Sequence, residues 1–201
     1  PAPRLAPGVT PNWELQQHHP LYYLAMAPIG RALAAQSLQT RLLALRLASW
    51  SLAILGLAIA VVALARHGAA AGVPYAETAA LLAAAWPFVM PMALPEFARL
   101  GNDSLCILLL ATAFSLLLRM LRQGATVGRA VTFGIVLGLG LLTKAWFIAV
   151  TAGLSLFLLA QGNRRSAAAA VITGVTAAAI GGWWYLGNLR TLGNLSGSLE
   201  V

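Results

Sequence analysis

The sequence predicts an all-α protein, a polytopic bundle of about six membrane-spanning helices. Hydrophobic residues fill 60% of its 201 positions and charged residues only 9%, whereas soluble domains are roughly half apolar and roughly a quarter charged. The mean hydropathy is +0.80, and apolar runs long enough to cross a bilayer recur along the chain. These observations together exclude an ordinary soluble domain.

Residues 1–46 are predicted to form a loop that includes a helix lying in the membrane interface. Residues 1–20 are polar and proline-rich, unlike a signal peptide, and no Met opens the chain. The stretch 21–35 is apolar, but it is too short and too interrupted to cross a bilayer. We expect the chain to be an internal part of a larger membrane domain, with a further helix upstream.

The predicted spans fill residues 47–185, and the segment 186–201 follows them. The spans cover residues 47–65, 78–94, 104–118, the two halves of 130–160, and 167–185. Small residues at Gly134 and Gly138 lie on one helix face, which favours close helix packing in lipid. The last span ends in Trp183-Trp184-Tyr185, which we interpret as an interfacial aromatic belt.

Two predicted spans differ from a simple apolar helix. Residues 78–94 carry Pro87 and Pro91, and prolines four apart kink or break a helix. A single helix over 130–160 would extend roughly 45 Å, beyond a hydrocarbon core of about 30 Å. Lys144 would then lie near the membrane centre, at a high cost in free energy. We therefore predict a hairpin of two short helices that meet near this lysine.

The distribution of charge among the loops predicts the orientation. Short loops at 66–77, 119–129 and 161–166 are dense in arginine and contain one acid, Glu77. Dense basic loops face the cytoplasm, so 1–46, 95–103, 143–145 and 186–201 are predicted to be extracytoplasmic. The formal net charge of +8 is explained by these orientation signals. The sequence lacks a basic stripe with interleaved aromatic residues, the pattern that would indicate nucleic-acid binding. Its single cysteine, Cys106, excludes an internal disulfide.

The remaining polar residues gather at the predicted extracytoplasmic face. A lipid-facing helix gains nothing from ionisable residues, so such a set marks a candidate site. Its members are His18, His19, Arg99, Asn102, Asp103, Lys144 and Arg190.

Each member of this set also has a purely structural interpretation. Adjacent His18 and His19 cannot both face one point on a helix, so a metal site would need one of them with carboxylates from elsewhere. The alternative is two exposed interfacial histidines. Asp103 lies four residues after Arg99, where a helix begins, and is an N-cap, a functional carboxylate or both. Lys144 is either a solvated anchor or a point charge for a phosphate.

Five short motifs follow one another along the chain. They are His19-Pro20-Leu21-Tyr22-Tyr23, Arg46-Leu47-Ala48-Ser49, Asn102-Asp103, Gly138-Leu139-Gly140-Leu141-Leu142-Thr143-Lys144, and Trp184-Tyr185-Leu186-Gly187-Asn188. In order and predicted placement they resemble the GT-C superfamily of membrane glycosyltransferases, which includes protein mannosyltransferases and the aminoarabinose transferases of lipid A. The chain departs from many members at two places: His19 replaces the first proline of a His-Pro-Pro motif, and Gly187 replaces an arginine for which Arg190 is the candidate substitute.

The resemblance implies an enzyme that moves a sugar from a polyprenyl-phosphate carrier to an acceptor outside a bacterial plasma membrane. The acceptor would be a glycan, a lipid or a protein. Asp103 matches the family's catalytic acid at the start of a later span, whereas the acid of the first loop would lie upstream of Pro1. The implied substrate-binding residues are His18, His19, Tyr22, Arg99, Asn102, Lys144 and Arg190. The sequence assigns no cofactor, and it neither requires nor excludes a divalent metal ion.

Two other functions compete with the transferase. A transporter or flippase for a lipid-linked or small polar solute also uses broken helices, but its site lies near the membrane midplane. Here the ionisable residues are predicted to lie at membrane ends, which favours the transferase. A non-catalytic membrane scaffold would tolerate neutralisation of Asp103 and Lys144. We expect residues 1–201 alone to be inactive in sugar transfer.

Overall fold

The computed structural model describes residues 19–90, 92–193 and 195. All regular secondary structure within these residues is α-helical, as predicted. The helices are α1 (Leu21–Ala32), α2 (Leu38–Ala70), α3 (Ala76–Ala84), α4 (Trp86–Val89), α5 (Ala93–Ala98), α6 (Asp103–Gln123), α7 (Val127–Leu141), α8 (Phe147–Ala160) and α9 (Arg164–Leu192).

Three of these helices have the length and hydropathy to cross a membrane. They are α2, α6 and the Arg164–Arg190 portion of α9. Shorter apolar helices occupy Ala76–Val89, Val127–Leu141 and Phe147–Ala160. The described part of the chain is therefore all-helical, and it has membrane-spanning character.

The long helices extend beyond the apolar runs that predicted them. Helix α2 begins at Leu38, so residues 38–46, predicted to lie in a loop, are helical. Ser37 caps this helix, because its Oγ accepts a hydrogen bond from the backbone N of Thr40 at 3.2 Å. Helix α6 likewise continues to Gln123, and α9 extends both before and after 167–185. The predicted loop bounds were wrong because counting apolar residues stops at the first arginine, which is itself a good helix former.

The proline-containing segment is divided into three short helices and does not form the single kinked span predicted over 78–94. Helix α3 ends at Ala84, and Pro87 lies in the first turn of α4, where a missing N–H costs nothing. Pro91 falls outside the described residues. Helix α5 then leads into the turn before α6.

The predicted break within 130–160 is confirmed. Helix α7 ends at Leu141, and α8 begins at Phe147 after the turn 142–146. The turn is close, because a Cβ on Gly140 would lie only 2.2 Å from a ring carbon of Phe147. Phe147 is fully buried there.

Glycines set the closest helix contacts. A Cβ on Gly138 would lie 2.7 Å from the Cβ of Ile180, and one on Gly181 would lie 2.6 Å from the carbonyl oxygen of Gly138. Helices α7 and α9 therefore meet through the predicted small-residue face. Helices α2 and α6 meet in the same way, because a Cβ on Gly56 would lie 2.8 Å from the backbone of Leu108.

Candidate functional site

The turn after α7 is the point at which distant parts of the chain meet. The last carbonyls of a helix have no partner within it, and here three consecutive carbonyls, at the end of α7 and in the turn after it, are satisfied from elsewhere. Tyr185 Oη donates to Leu141 O at 2.8 Å, Leu21 N to Leu142 O at 3.0 Å, and Asn102 Nδ2 to Thr143 O at 2.7 Å. The start of α1, the start of α6 and the C-terminal part of α9 are thereby fixed around one turn.

The turn is also held from within. The buried Thr143 side chain donates from Oγ1 to Leu139 O at 2.8 Å, and the backbone N of Lys144 donates to Gly140 O at 3.0 Å. The backbone of Lys144 is therefore held in place, and its long side chain is the part that can change position.

Lys144 and Asp103 form an ion pair at the edge of this network. Lys144 Nζ donates to Asp103 Oδ1 at 2.5 Å, and the two side chains are 41% and 43% exposed. Asp103 is the first residue of α6, where the helix dipole favours a carboxylate. It is not the N-cap predicted from the sequence, because Asn102 occupies that position and makes no side-chain cap bond.

Asn102 links the ion pair to the interior. Its side chain is buried, and Nδ2 is used by the Thr143 carbonyl. Its Oδ1 is also buried and has no hydrogen-bond partner among the described residues. A buried amide oxygen left without a partner costs free energy.

His19 is part of the same network, and the prediction of an exposed interfacial histidine is wrong for this residue. It is 6% exposed, and its Nε2 lies 3.0 Å from Tyr185 Oη. The Tyr185 hydroxyl already gives its hydrogen to Leu141 O, so His19 Nε2–H donates to Tyr185. Tyr185 is buried in the bundle and therefore does not face lipid, whereas Trp183 is exposed. His18 lies outside the described residues.

Tyr22 lies beneath the site rather than in it. Its hydroxyl and the Ser49 Oγ are 2.5 Å apart, and both side chains are fully buried between α1 and α2. The neighbouring Tyr23 is partly exposed. Partial burial, and secondarily Tyr22, raises the pKa of Tyr23, so this phenol stays neutral near physiological pH.

Two predicted site residues lie apart from this network. Arg99 is 69% exposed and pairs with Glu96 at 3.5 Å. Its backbone is extended, with ψ of 143°, so residues 99–103 do not form the helical turn that would bring Arg99 beside Asp103. Arg190 is exposed in the last turn of α9 and makes no hydrogen bond or ion pair with the described residues.

Two cavities lie beside the segment that precedes Asp103. The first, of about 420 Å³, is lined by Arg46, Arg99, Glu96 and two small or cyclic residues. The second, of about 310 Å³, is apolar apart from Glu96 and is lined mainly by Trp86, Phe97 and methionines. Because Glu96 lines both, a basic cavity adjoins an apolar groove.

Sequence reasoning missed the residues that hold the site together. Ser49, Thr143 and Tyr185 lie within the motifs that resemble the GT-C superfamily, but nothing in the sequence predicts the buried contacts that they make. No group of three or more His, Cys, Asp or Glu side chains among the described residues is close enough to hold a metal ion. No protein-family model, curated protein or solved structure matches the chain. The chemistry of the site must therefore be argued from its own residues.

Proposed function

We propose that the chain is part of an integral membrane glycosyltransferase of the GT-C kind, which transfers a sugar from a polyprenyl-phosphate carrier to an extracytoplasmic acceptor. The observation that carries this proposal is the Asp103–Lys144 ion pair. A carboxylate and an ammonium group lie together, partly open to solvent, on a buried polar network. Acceptor activation and leaving-group stabilisation need these two charges.

The two charges act at opposite ends of the bond that is exchanged. The acceptor oxygen forms a new bond to the anomeric carbon while the bond from that carbon to the phosphate oxygen breaks. Asp103 takes the proton from the acceptor hydroxyl. Lys144 leaves its carboxylate partner and stabilises the negative charge on the departing polyprenyl phosphate.

The paired cavities beside α5 fit the two parts of the carrier. Arg46 and Arg99 would attract the phosphate, which would replace Glu96 as the partner of Arg99. The apolar groove lined by Trp86 and Phe97 would hold the start of the isoprenoid chain. In this arrangement, the exposed arginines hold the carrier and Lys144 acts on it.

The topology proposed with this function has about six crossings. Helices α7 and α8 have 15 and 14 residues, about 22 Å each, less than a hydrocarbon core of about 30 Å. They would cross as short spans where the bilayer thins. In this topology the turn 142–146 lies on the extracytoplasmic side, and the hydrocarbon core of the bilayer ends close to the Asp103–Lys144 pair.

A transporter is the second candidate, because α3, α4 and α5 are broken helices of the kind that surround transported solutes. The same preparation can distinguish the two functions. Membranes containing the transferase of which this chain is proposed to be a part should transfer label from a polyprenyl-phosphate sugar to an endogenous acceptor. A transporter would instead move the labelled carrier across sealed vesicles and leave the sugar on it.

The decisive variant is Asp103→Asn, with Glu77→Gln as a matched control on an exposed carboxylate elsewhere. We expect Asp103→Asn to lower transfer by about 100-fold or more, whereas Glu77→Gln leaves it unchanged. Lys144→Met should also lose activity, because the leaving phosphate loses its cation. Full transfer by Asp103→Asn would overturn the proposal, and a scaffold would show no transfer by any form.

A further inference from the structure

A third cavity lies between α2 and α6, beside the arginine-rich loops. It measures about 570 Å³, and three of its lining residues are Arg66, Arg119 and Arg122. Arg66 lies near the C-terminal end of α2, and the other two lie in the last turns of α6. Arg122 Nη1 donates to the backbone oxygen of Arg66 at 3.4 Å, which joins the two helix ends.

The charge in this cavity is uncompensated. None of the three arginines forms an ion pair with a carboxylate in the part of the chain that the structure describes. Arg119 and Arg122 are three residues apart and so share a helix face. Three like charges around one cavity repel one another, and an anion that entered would relieve this repulsion.

Apart from Ser115 and Gln123, the rest of the lining is apolar. Ile59, Val62 and Ala63 extend the cavity along α2 away from the arginines, toward the middle of the helix. A ligand that fits both parts has a negative headgroup and an adjoining hydrocarbon chain. Arginine binds phosphate oxygens in a bidentate manner, which selects phosphate over a single carboxylate contact.

A simpler interpretation assigns each arginine a separate structural role. A cation near a helix C-terminus interacts favourably with the helix dipole, and an arginine at a membrane end extends its charge toward water. Neither effect requires arginines from two helices to line one cavity with an apolar floor. The arrangement is that of the basic pockets between membrane helices that bind phospholipid headgroups.

We infer that this cavity binds a phosphate group, supplied by the headgroup of an anionic membrane phospholipid. The site is separate from the Asp103–Lys144 pair and does not depend on the proposed transferase activity. On the predicted orientation, its lipid comes from the cytoplasmic leaflet. The bound lipid bridges α2 and α6 at the end opposite the candidate site.

The test measures lipid binding by the purified protein in detergent micelles, using native mass spectrometry. Phosphatidylglycerol and phosphatidylcholine with identical acyl chains are titrated separately. We expect phosphatidylglycerol to bind at least tenfold more tightly. Arg66→Gln, Arg119→Gln and Arg122→Gln should each weaken its binding roughly fivefold, while Arg164→Gln, an exposed arginine outside the cavity, should not.

Arg119→Lys keeps the charge but loses the bidentate geometry, so its binding should fall between that of the natural protein and that of Arg119→Gln. This ordering distinguishes loss of the cation from loss through misfolding. Equal binding of the two lipids, or binding unaffected by the cavity variants, would overturn the site. Inorganic phosphate is titrated alone and as a competitor. If it binds as tightly as phosphatidylglycerol and displaces it, a membrane lipid is not the source of the phosphate.

Discussion

Lys144 Nζ lies 2.5 Å from Asp103 Oδ1, although the two residues are 41 positions apart in the sequence. Contacts made by their neighbours in the chain bring them together. The turn after α7 directs Lys144 outward, and the Asn102 side chain binds the carbonyl of Thr143, next to Lys144 in the chain. The neighbours of the two charged residues therefore supply the buried contacts, and the charges stay partly exposed.

This division predicts that the ion pair contributes little to stability. Exposed ion pairs are worth at most about 1 kcal/mol, and both side chains here are more than two-fifths exposed. In a double-mutant cycle of Asp103→Asn and Lys144→Met, we expect a coupling free energy of unfolding below about 1 kcal/mol. Unfolding in mixed micelles with increasing denaturing detergent measures it. A coupling of about 3 kcal/mol would mean a buried structural pair, and the pair would no longer support a catalytic role.

The buried Tyr22–Ser49 contact is predicted to affect the free energy of unfolding differently from the exposed ion pair. Removing either hydroxyl leaves the other buried without a partner, so Tyr22→Phe and Ser49→Ala should each lower the free energy of unfolding by about 1–3 kcal/mol. The double variant removes both polar groups, so its loss in free energy of unfolding should be smaller than the sum of the two single losses. The same unfolding measurement checks this, with Ser51→Ala as a control on the exposed side of α2. Strictly additive losses would show that the two hydroxyls do not depend on each other.

The glycine contact between α7 and α9 predicts a packing defect on substitution. Gly138→Ala would place a methyl group against Ile180 and the backbone of Ala177, so we expect a loss of about 1–3 kcal/mol from overpacking. Gly174→Ala in α9 is the control, because a Cβ there would meet nothing within 4 Å. This control should be neutral or stabilising, since alanine favours helix. Equal effects of the two substitutions would contradict the close approach.

Sequence patterns predicted the presence of the helices better than the positions at which they begin and end. Hydropathy correctly indicated helices, and the cost of burying Lys144 correctly placed a break before α8. The helix ends were missed, because Arg119 and Arg122 continue α6 where an apolar count stops. Side-chain charge limits where a helix contacts lipid, but it does not end a helix.

The candidate site was only partly predictable. Polarity alone identified Asn102, Asp103 and Lys144, because each is out of place near apolar runs. It could not separate them from Arg99, whose partner is the local Glu96. The role of Tyr185 depends on a carbonyl that α7 leaves unpaired at Leu141. Such a contact is set by tertiary packing, which no local pattern encodes.

The relation of the site to α9 gives a topological prediction. Arg165 lies in the first turn of this helix, and Tyr185, which contacts the site, follows 20 residues later, about 30 Å along the axis. That distance matches the thickness of a hydrocarbon core of about 30 Å. If α9 crosses the membrane, Arg165 and the Asp103–Lys144 pair lie on opposite sides.

Single-cysteine labelling in intact cells checks this prediction. With Cys106→Ala as background, Asp103→Cys, Lys144→Cys and Arg165→Cys are each treated with a membrane-impermeant thiol reagent. We expect labelling at 103 and 144, and at 165 only after the cells are permeabilised, because dense arginine loops face the cytoplasm. Labelling at 165 alone would invert the orientation and remove the site from the extracytoplasmic side. Opposite results at 103 and 144 would contradict their contact, and the proposed transferase would fail with it.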